Sequence, residues 1–523
     1  MLPTTTGAVA KRYTHLESDR TSFLDRAREV AKLTIPTLMP PEGHSGSSVY
    51  ATPYQSIGAR GVNNLASKLL MTLLPPNSPF FRLTMDDFDL QSLAGDDARG
   101  KVEEALARIE RAAMQEVEAT AVRVPVFEAL KQLITSGNVL IHMPKDGGVR
   151  VFRLDRYVCQ RDAMGNVLEV ITKETVSPLM LPEAVQELLT KPSEESQLKS
   201  IDLYTKVCRV NKKWEVYQEV EGQIIPDSRG SFPLDQSPFM ALRMVRIDGE
   251  SYGRGYVEEF IGDLSSLETL TKAIVQGAAA AAKVLFLVKP NGSTKQKVLA
   301  QTPNGGIATG DANDVSVLQL EKYSDFRVAQ DTAREITERL AYSFLMNSAV
   351  QRKAERVTAE EVRYMAQELE SALGGVYSIL SQEFQYPMVK LLLARMEKSG
   401  KMPKFPKDTL KPQIVTGMEA LGRGQDLNKL SQLLQMLQPL GPEILQKELN
   451  IDDYIDRLGA SLAIDTSGLI RSAEQKEQEA QAQQQMMQQQ QMMQEQQSAQ
   501  LQEDGTPMGG RQDNTMSPRP NGQ

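Results

Sequence analysis

The residues best equipped for chemistry sit in one short basic stretch. From Asn347 to Arg356 the chain reads Asn347-Ser-Ala-Val-Gln351-Arg352-Lys353-Ala-Glu355-Arg356, breaking an apolar helical pattern and gathering three cations. Guanidinium and ammonium groups so placed suit phosphate contacts, each modest and screened by salt. The other reading is that they pair with Glu355, Glu360 or Glu361 to finish a helix start, because Thr358-Ala-Glu-Glu361 is a capping box. Signatures of catalysis are missing. His15, His44 and His142 lie far apart with no His-Glu-x-x-His spacing, and Cys159 and Cys208 have no paired spacing, so no metal centre or disulfide framework is expected. Both cysteines are expected to be reduced and buried. Gly400-Lys401 lacks the glycine five residues earlier that a phosphate loop needs, and Gly253-Arg-Gly255 lacks the third glycine of a dinucleotide fingerprint, which leaves close packing at a helix start. No GxSxG elbow occurs, and the many carboxylates single out no dyad, so neither cofactor nor enzyme activity is expected.

Two long helices must position the basic stretch. Residues 256–283 carry Phe260, Leu264, Leu267, Leu270 and Ile274 near helical spacing and end in Gly277-Ala278-Ala-Ala-Ala281-Ala-Lys283. That is a helix of about 28 residues, or roughly 42 Å. Gly277, Ala278 and Ala281 leave its end nearly bare, which lets other helices approach; the plain helix propensity of alanine is the alternative account. Residues 326–346 are helical again. Between them lie a short run at 284–288 that reads as a buried strand, a turn-rich segment from Asn304 to Asp314, and a second strand at 315–320. The insert's ends must lie close together, giving an antiparallel helix pair with a compact tip.

The rest of the chain is expected to be α+β and predominantly helical. Residues 8–33 show an apolar stripe through Phe23, Ala27, Val30 and Ala31, stopped by Pro36 and Pro40-Pro41. A second helix ends at Pro75-Pro76, and 101–135 reads as two more. From Asn138 the period changes to two, with strands at 139–143, 149–154, 167–172, 201–210, 214–220 and 239–245 and a helix at 182–189, making a mostly antiparallel sheet or small barrel over 138–247. Downstream, a long helix over 357–396 contains Pro387, which should kink it. Residues 401–412 read as an irregular basic segment, and short amphipathic helices follow at 427–437, 443–449 and 452–462. From about Ser472 the chain turns Gln- and Met-rich, a composition that favours disorder over a helix in a multi-copy bundle.

Bulk properties narrow the function classes. A chain of 523 residues should hold two or more domains. A net charge of −8 argues against a broad grip on nucleic acid, though not against a conduit whose wall avoids sticking to it. The start lacks a signal-peptide pattern, no run approaches 18 apolar residues, and a soluble cytosolic beginning without direct membrane insertion is expected.

The order of helix, insert with a Lys289-Pro-Asn-Gly292 turn, helix ending Leu340-Ala-Tyr-Ser-Phe-Leu345, basic loop and Thr-Ala-Glu-Glu helix resembles the phage portal fold. Tyr54-Gln-Ser-Ile-Gly-Ala-Arg60 and Leu73-Leu-Pro-Pro-Asn-Ser-Pro-Phe80 extend the resemblance to head-to-tail connectors of short-tailed phages that carry their own RNA polymerase. It covers about residues 1–470. It implies a wing at 1–250 (helical to 137, β-rich over 138–247), stem helices at 251–284 and 326–346, a clip at 285–325, a tunnel loop at 347–357, a long wing helix at 358–398 and a crown at 399–471, with 472–523 as a tail. A homo-oligomeric ring, of twelve copies in such connectors, is implied at one capsid vertex of the virion after assembly in the host cytoplasm. Implied partners are the major capsid and scaffolding proteins, the terminase large subunit, the tail adaptor, internal core proteins and double-stranded DNA in transit without sequence specificity. Within that fold Asn347, Gln351, Arg352, Lys353 and Arg356 would face the channel, Gly277, Ala278 and Ala281 would pack the stem, and Lys289, Lys295 and Lys297 would face DNA or an adaptor, a merely solvated surface being the alternative. Rival readings are another structural virion protein, such as a tail adaptor or scaffold, and a magnesium-dependent nuclease using clustered carboxylates.

Overall fold

The computed structural model describes residues 7–76, 79–85, 99–145, 147–178, 181, 200–281, 285–303, 305–318, 323–346, 371–373, 375–403, 411–414, 422–440, 454–455, 458 and 486–487. Residues 1–439 form one compact unit and 440–523 another. The expected helices at 443–449 and 452–462, most of the Gln-rich tail, the helix at 182–189 and the basic loop fall largely or wholly outside the described residues.

The first unit opens on four helices, α1 (Ala8–Leu33), α2 (Ile57–Leu73), α3 (Arg99–Ala119) and α4 (Arg123–Ser136). The α1 stripe is wider than its apolar residues alone suggest, because Arg20 is buried too. Its guanidinium donates to the carbonyls of Leu154 (3.0 Å) and Tyr157 (2.9 Å), to the Tyr13 hydroxyl and to Glu17 (2.8 Å), which offsets much of the cost of burying a cation while Nε stays unpartnered among the described residues. Gly7 offers α1 no side-chain cap, so the Glu219 carboxylate accepts from the amides of Val9 and Ala10, both at 3.1 Å.

The β-rich part forms two antiparallel sheets. Strand β2 (Asn138–His142) is the middle of a three-stranded sheet, between β10 (Phe239–Arg243) and β3 (Arg150–Phe152). The larger sheet runs β4 (Tyr157–Arg161), β5 (Val167–Val176), β6 (Ile201–Val210), β7 (Lys213–Val220) and β8 (Gln223–Ile224), with β9 (Gly230–Pro233) also pairing β7. The sequence reading missed β4, whose five residues show no alternation because the first three are all buried. The irregular reading of 401–412 is corrected at its end: β13 (Lys411–Ile414) pairs antiparallel with β1 (Phe81–Thr84), a register no local pattern could reveal. Pro412 sits there in a sheet of two strands among the described residues, the edge setting in which proline is found.

A short 3-10 turn (Tyr256–Phe260) leads into α5 (Ile261–Ala281), so the helix proper starts five residues later than its apolar spacing predicts. The insert holds β11 (Leu285–Val288), α6 (Gln296–Gln301) and β12 (Val315–Leu318), and β11 pairs antiparallel with β12. The buried reading of 284–288 is corrected: Phe286 is 59% exposed and Leu287 52%, since a two-stranded ribbon covers neither face by itself. Helix α7 (Tyr323–Ser343) returns antiparallel to α5. Then α8 (Val376–Leu380) passes through a π-helical turn (Ser381–Gln385) into α9 (Tyr386–Lys398), and α10 (Gly422–Leu437) follows. Pro387 falls in the first turn of α9, directly after that π turn, where a backbone donor is not needed by the helix.

One core joins these pieces. Leu65, Leu69 and Leu73 of α2, Leu133 and Ile134 of α4, Leu340 and Phe344 at the end of α7, and Leu380 and Val389 of α8–α9 are all fully buried together. Each such side chain contributes roughly 1.5–3 kcal/mol on burial.

Candidate functional site: a helix pair and its roots

Helices α5 and α7 lie side by side, and their closest contact is set by a glycine. A Cβ at Gly277 would stand 2.3 Å from the Phe326 ring, so the tip of that ring reaches the helix only because the side chain is missing. Nearer the root Arg339 donates to Asp263 at 3.0 Å. Ala278 is exposed, and nothing is described of the Ala281 side chain. Single apolar side chains stand exposed on the pair among charges: Val275 is 50% exposed, Val328 67% and Tyr342 77%, beside Arg334 at 79% and Glu338 at 65%.

The roots are anchored on α2. Helix α7 ends in a Schellman pattern, Met346 N–H to Ala341 O at 2.8 Å and Leu345 N–H to Tyr342 O at 3.0 Å. Leu345 takes the left-handed position, φ 54°, that glycine usually fills. The terminal carbonyls are then taken up from outside. Asn64 donates to Phe344 O (3.0 Å) and Leu345 O (3.2 Å), Lys68 Nζ to Leu345 O (2.8 Å), and the Tyr256 hydroxyl to Ser343 O (2.9 Å). A cation at a helix C-terminus also complements its dipole. Gly61 completes the seat, since a Cβ there would lie 2.4 Å from the Phe344 ring. In the segment leading into α2 the Glu268 carboxylate of α5 accepts from the amides of Tyr54 (3.0 Å) and Gln55 (3.1 Å).

Sequence reasoning did not select Gly61, Asn64 or Lys68. Their signal was the spacing i, i+3, i+7, which lines one face of a helix beside the Leu65, Leu69, Leu73 stripe. The Gly253-Arg-Gly255 element packs as expected of close approach: a Cβ at Gly255 would meet Thr135 O at 2.5 Å and one at Gly253 would meet Gly137 O at 2.9 Å.

At the tip, Lys289, Lys295 and Lys297 are exposed. The Asp314 carboxylate accepts from Thr294 N–H (3.3 Å) and the Ser293 hydroxyl (3.1 Å), bonds that lower its pKa from the ordinary value and close the Pro290–Gly292 turn. The basic loop residues Asn347, Gln351, Arg352, Lys353 and Arg356 lie outside the described residues; what is described is the point from which the chain leaves, Met346.

The long helix is tied to the sheets by Glu383, on the π turn. Its carboxylate accepts from Arg243 at its backbone N–H (3.0 Å), Nε (3.1 Å) and Nη2 (2.6 Å), and Arg161 stands 3.6 Å away. Among the described residues no group of three His, Cys, Asp or Glu side chains could hold a metal ion, and no helix is long and apolar enough to cross a membrane. Both cysteines are free and buried. These elements can brace and transmit.

Comparison with known proteins adds the following. Residues 6–470 match the family described as Bacteriophage head to tail connecting protein. The chain is 43% identical over 476 residues to the portal protein of Escherichia phage T7, covering 89% of each, and 44% identical over 473 residues to that of Enterobacteria phage T3, covering 89% of this chain and 88% of the relative. Identity to the portal protein of Enterobacteria phage SP6 is 31% over 482 residues. Among solved structures, the neck of a native gene transfer agent particle with C12 symmetry aligns with 72% of this chain and 85% of its own at 11% identity, TM-score 0.33.

Proposed function

This chain belongs to the bacteriophage head-to-tail connecting protein family, and from that membership we propose that it assembles as a ring through which double-stranded DNA enters and leaves a phage head. Its function is that of a portal, a virion component joining head to tail, rather than of a tail adaptor or scaffold. The observation that carries the reading is the match over residues 6–470 at 43% identity to a portal protein. The outward apolar side chains of α5, α7 and the β11–β12 ribbon support it, since a second copy alongside would cover surface that one chain leaves in water.

In the proposed arrangement twelve copies stand around a channel. Residues 1–250 are the wing that seats the ring among the major capsid and scaffolding proteins, α5 and α7 are the stem, 285–325 the clip, 347–357 a tunnel loop, 358–398 the long wing helix, 399–471 the crown and 472–523 the tail. Assembly takes place in the host cytoplasm. The clip, with Lys289, Lys295 and Lys297, docks the terminase large subunit and then the tail adaptor, and internal core proteins sit above the crown. Asn347, Gln351, Arg352, Lys353 and Arg356 form a constriction touching passing phosphates without reading sequence, while Gly277, Ala278 and Ala281 allow close stem packing. Helix α7 has four acidic and three basic residues, a wall that would neither hold nor strongly repel DNA. No bond is made or broken in this function. Negative-stain images of purified protein should show rings with a central hole; a uniform monomer at high concentration would overturn the proposal.

A further inference from the structure

A crevice of about 1180 Å³ opens between the two wing sheets and the last turns of α9. It exceeds the roughly 300–1,000 Å³ typical of small-molecule clefts. Its charge is unbalanced. Lys145, Arg150, Arg395, Lys398 and Lys401 line it against Glu116, Glu174 and Asp227. Arg150 is taken by Glu174 and Lys401 by Glu116, which leaves Lys145, Arg395 and Lys398 facing one carboxylate among the described residues.

Arg395 is the informative member. Its guanidinium is half-buried and donates to the Met143 carbonyl, yet among the described residues no carboxylate pairs with it, and burial alone pulls its pKa down. Next to it the His142 ring stacks on Phe239 at 4.1 Å, kept neutral by burial and by the nearby Arg150 and Arg395. A guanidinium withdrawn from water without a counter-charge is a cost that an incoming carboxylate would offset, in bidentate geometry. The adjoining wall is aromatic, with Phe152, Phe232 and Phe239. Strand β3, which contributes Arg150 and Phe152, stands at the edge of its sheet. An edge strand beside alternating apolar and cationic pockets is the setting in which extended peptides bind.

We propose that this crevice receives an extended acidic segment of another protein, with one carboxylate on Arg395 and an apolar side chain against Phe232 and Phe239. The site is distinct from the tip and from the basic loop, and it goes beyond the DNA conduit. A nucleic acid fits it poorly, because three cations set around an aromatic wall do not follow a phosphate backbone.

The test uses the full chain and a fluorescein-labelled peptide, Asp-Glu-Phe-Asp-Glu-Leu-Asp-Glu, read by fluorescence polarisation. Saturable binding is expected, with the Asn/Gln version of the peptide failing to compete. Arg395→Gln, which keeps a donor for Met143 O, should weaken binding about tenfold, the value of one charge-assisted pair. Lys145→Glu, on the exposed rim, should weaken it several-fold without touching the core, and carries the test alone if Arg395→Gln melts early. Absence of saturable binding, equal binding by the Lys145→Glu variant, or displacement of the peptide by a single-stranded oligonucleotide at equal charge concentration would each overturn the proposal.

Discussion

Lys68 shows how a single buried cation can end a helix. It fixes Leu345 O in the place where a solvated helix would turn to water. Replacing it with methionine keeps the volume but weakens the seat, so Lys68→Met should lower stability by about 1–3 kcal/mol, visible as a fall in melting temperature. His142 makes a pH prediction. Burial, then Arg150 and Arg395, lower its pKa to about 4, whereas in the unfolded chain it titrates near 6.5. Its contribution is therefore fully present above pH 6.5 and is lost as pH falls towards 4, where the unfolded chain binds the proton first. Melting temperature should drop across that window, and less steeply in His142→Gln. Neither residue was legible in the sequence as a partner of anything. Lys68 is one polar residue on a mixed face, and its acceptor lies 277 positions away. His142 sat in a clear strand, but alternation says nothing about which arginines will stand beside it.

Elements were the most legible level, wherever local spacing alone decides the outcome. The stripe in residues 8–33 and the alternation in 201–210 give the observed α1 and β6 bounds because each buries one face of a regular repeat. Strand β13 and the π turn were not legible, since one depends on a partner more than 300 residues away and the other departs from the regular helical repeat. The contact between α5 and α7 also joins distant positions, and it can be tested by substitution. Gly277→Ala should strain the pair by about 1–3 kcal/mol through its clash with the Phe326 ring. Adding Phe326→Leu should recover part of that loss in thermal melting, and no recovery would mean the clash is not the cause. At the π turn, Glu383→Ala strands Arg243, itself 2% exposed, and should cost about 3–5 kcal/mol. Circular dichroism melts of the variant would register it directly.

At the scale of the whole molecule, a chain lacking residues 286–325 should still form rings yet fail to capture the packaging motor or the tail adaptor in pull-downs. Loss of the rings themselves would move the clip from docking to assembly. The sequence carried the order of segments well enough to suggest this division of labour. It could not show that Val275, Val328 and Tyr342 stay exposed on the paired helices, because amphipathic spacing does not say whether a residue meets its own chain or a neighbour.

Anchoring both helices on α2 has a kinetic consequence. The seat of Leu345 on α2 and the hold of Glu268 on Tyr54 and Gln55 lie on adjoining stretches, tied by the Gly58 N–H bond to Gln55 Oε1, so neither root frays easily while α2 stays intact. Opening α2 frees both at once. Amide hydrogens of α2 and of the last turn of α7 should therefore exchange with deuterium at one common rate, far slower than those near the ribbon, and the two sets should accelerate together in Lys68→Met.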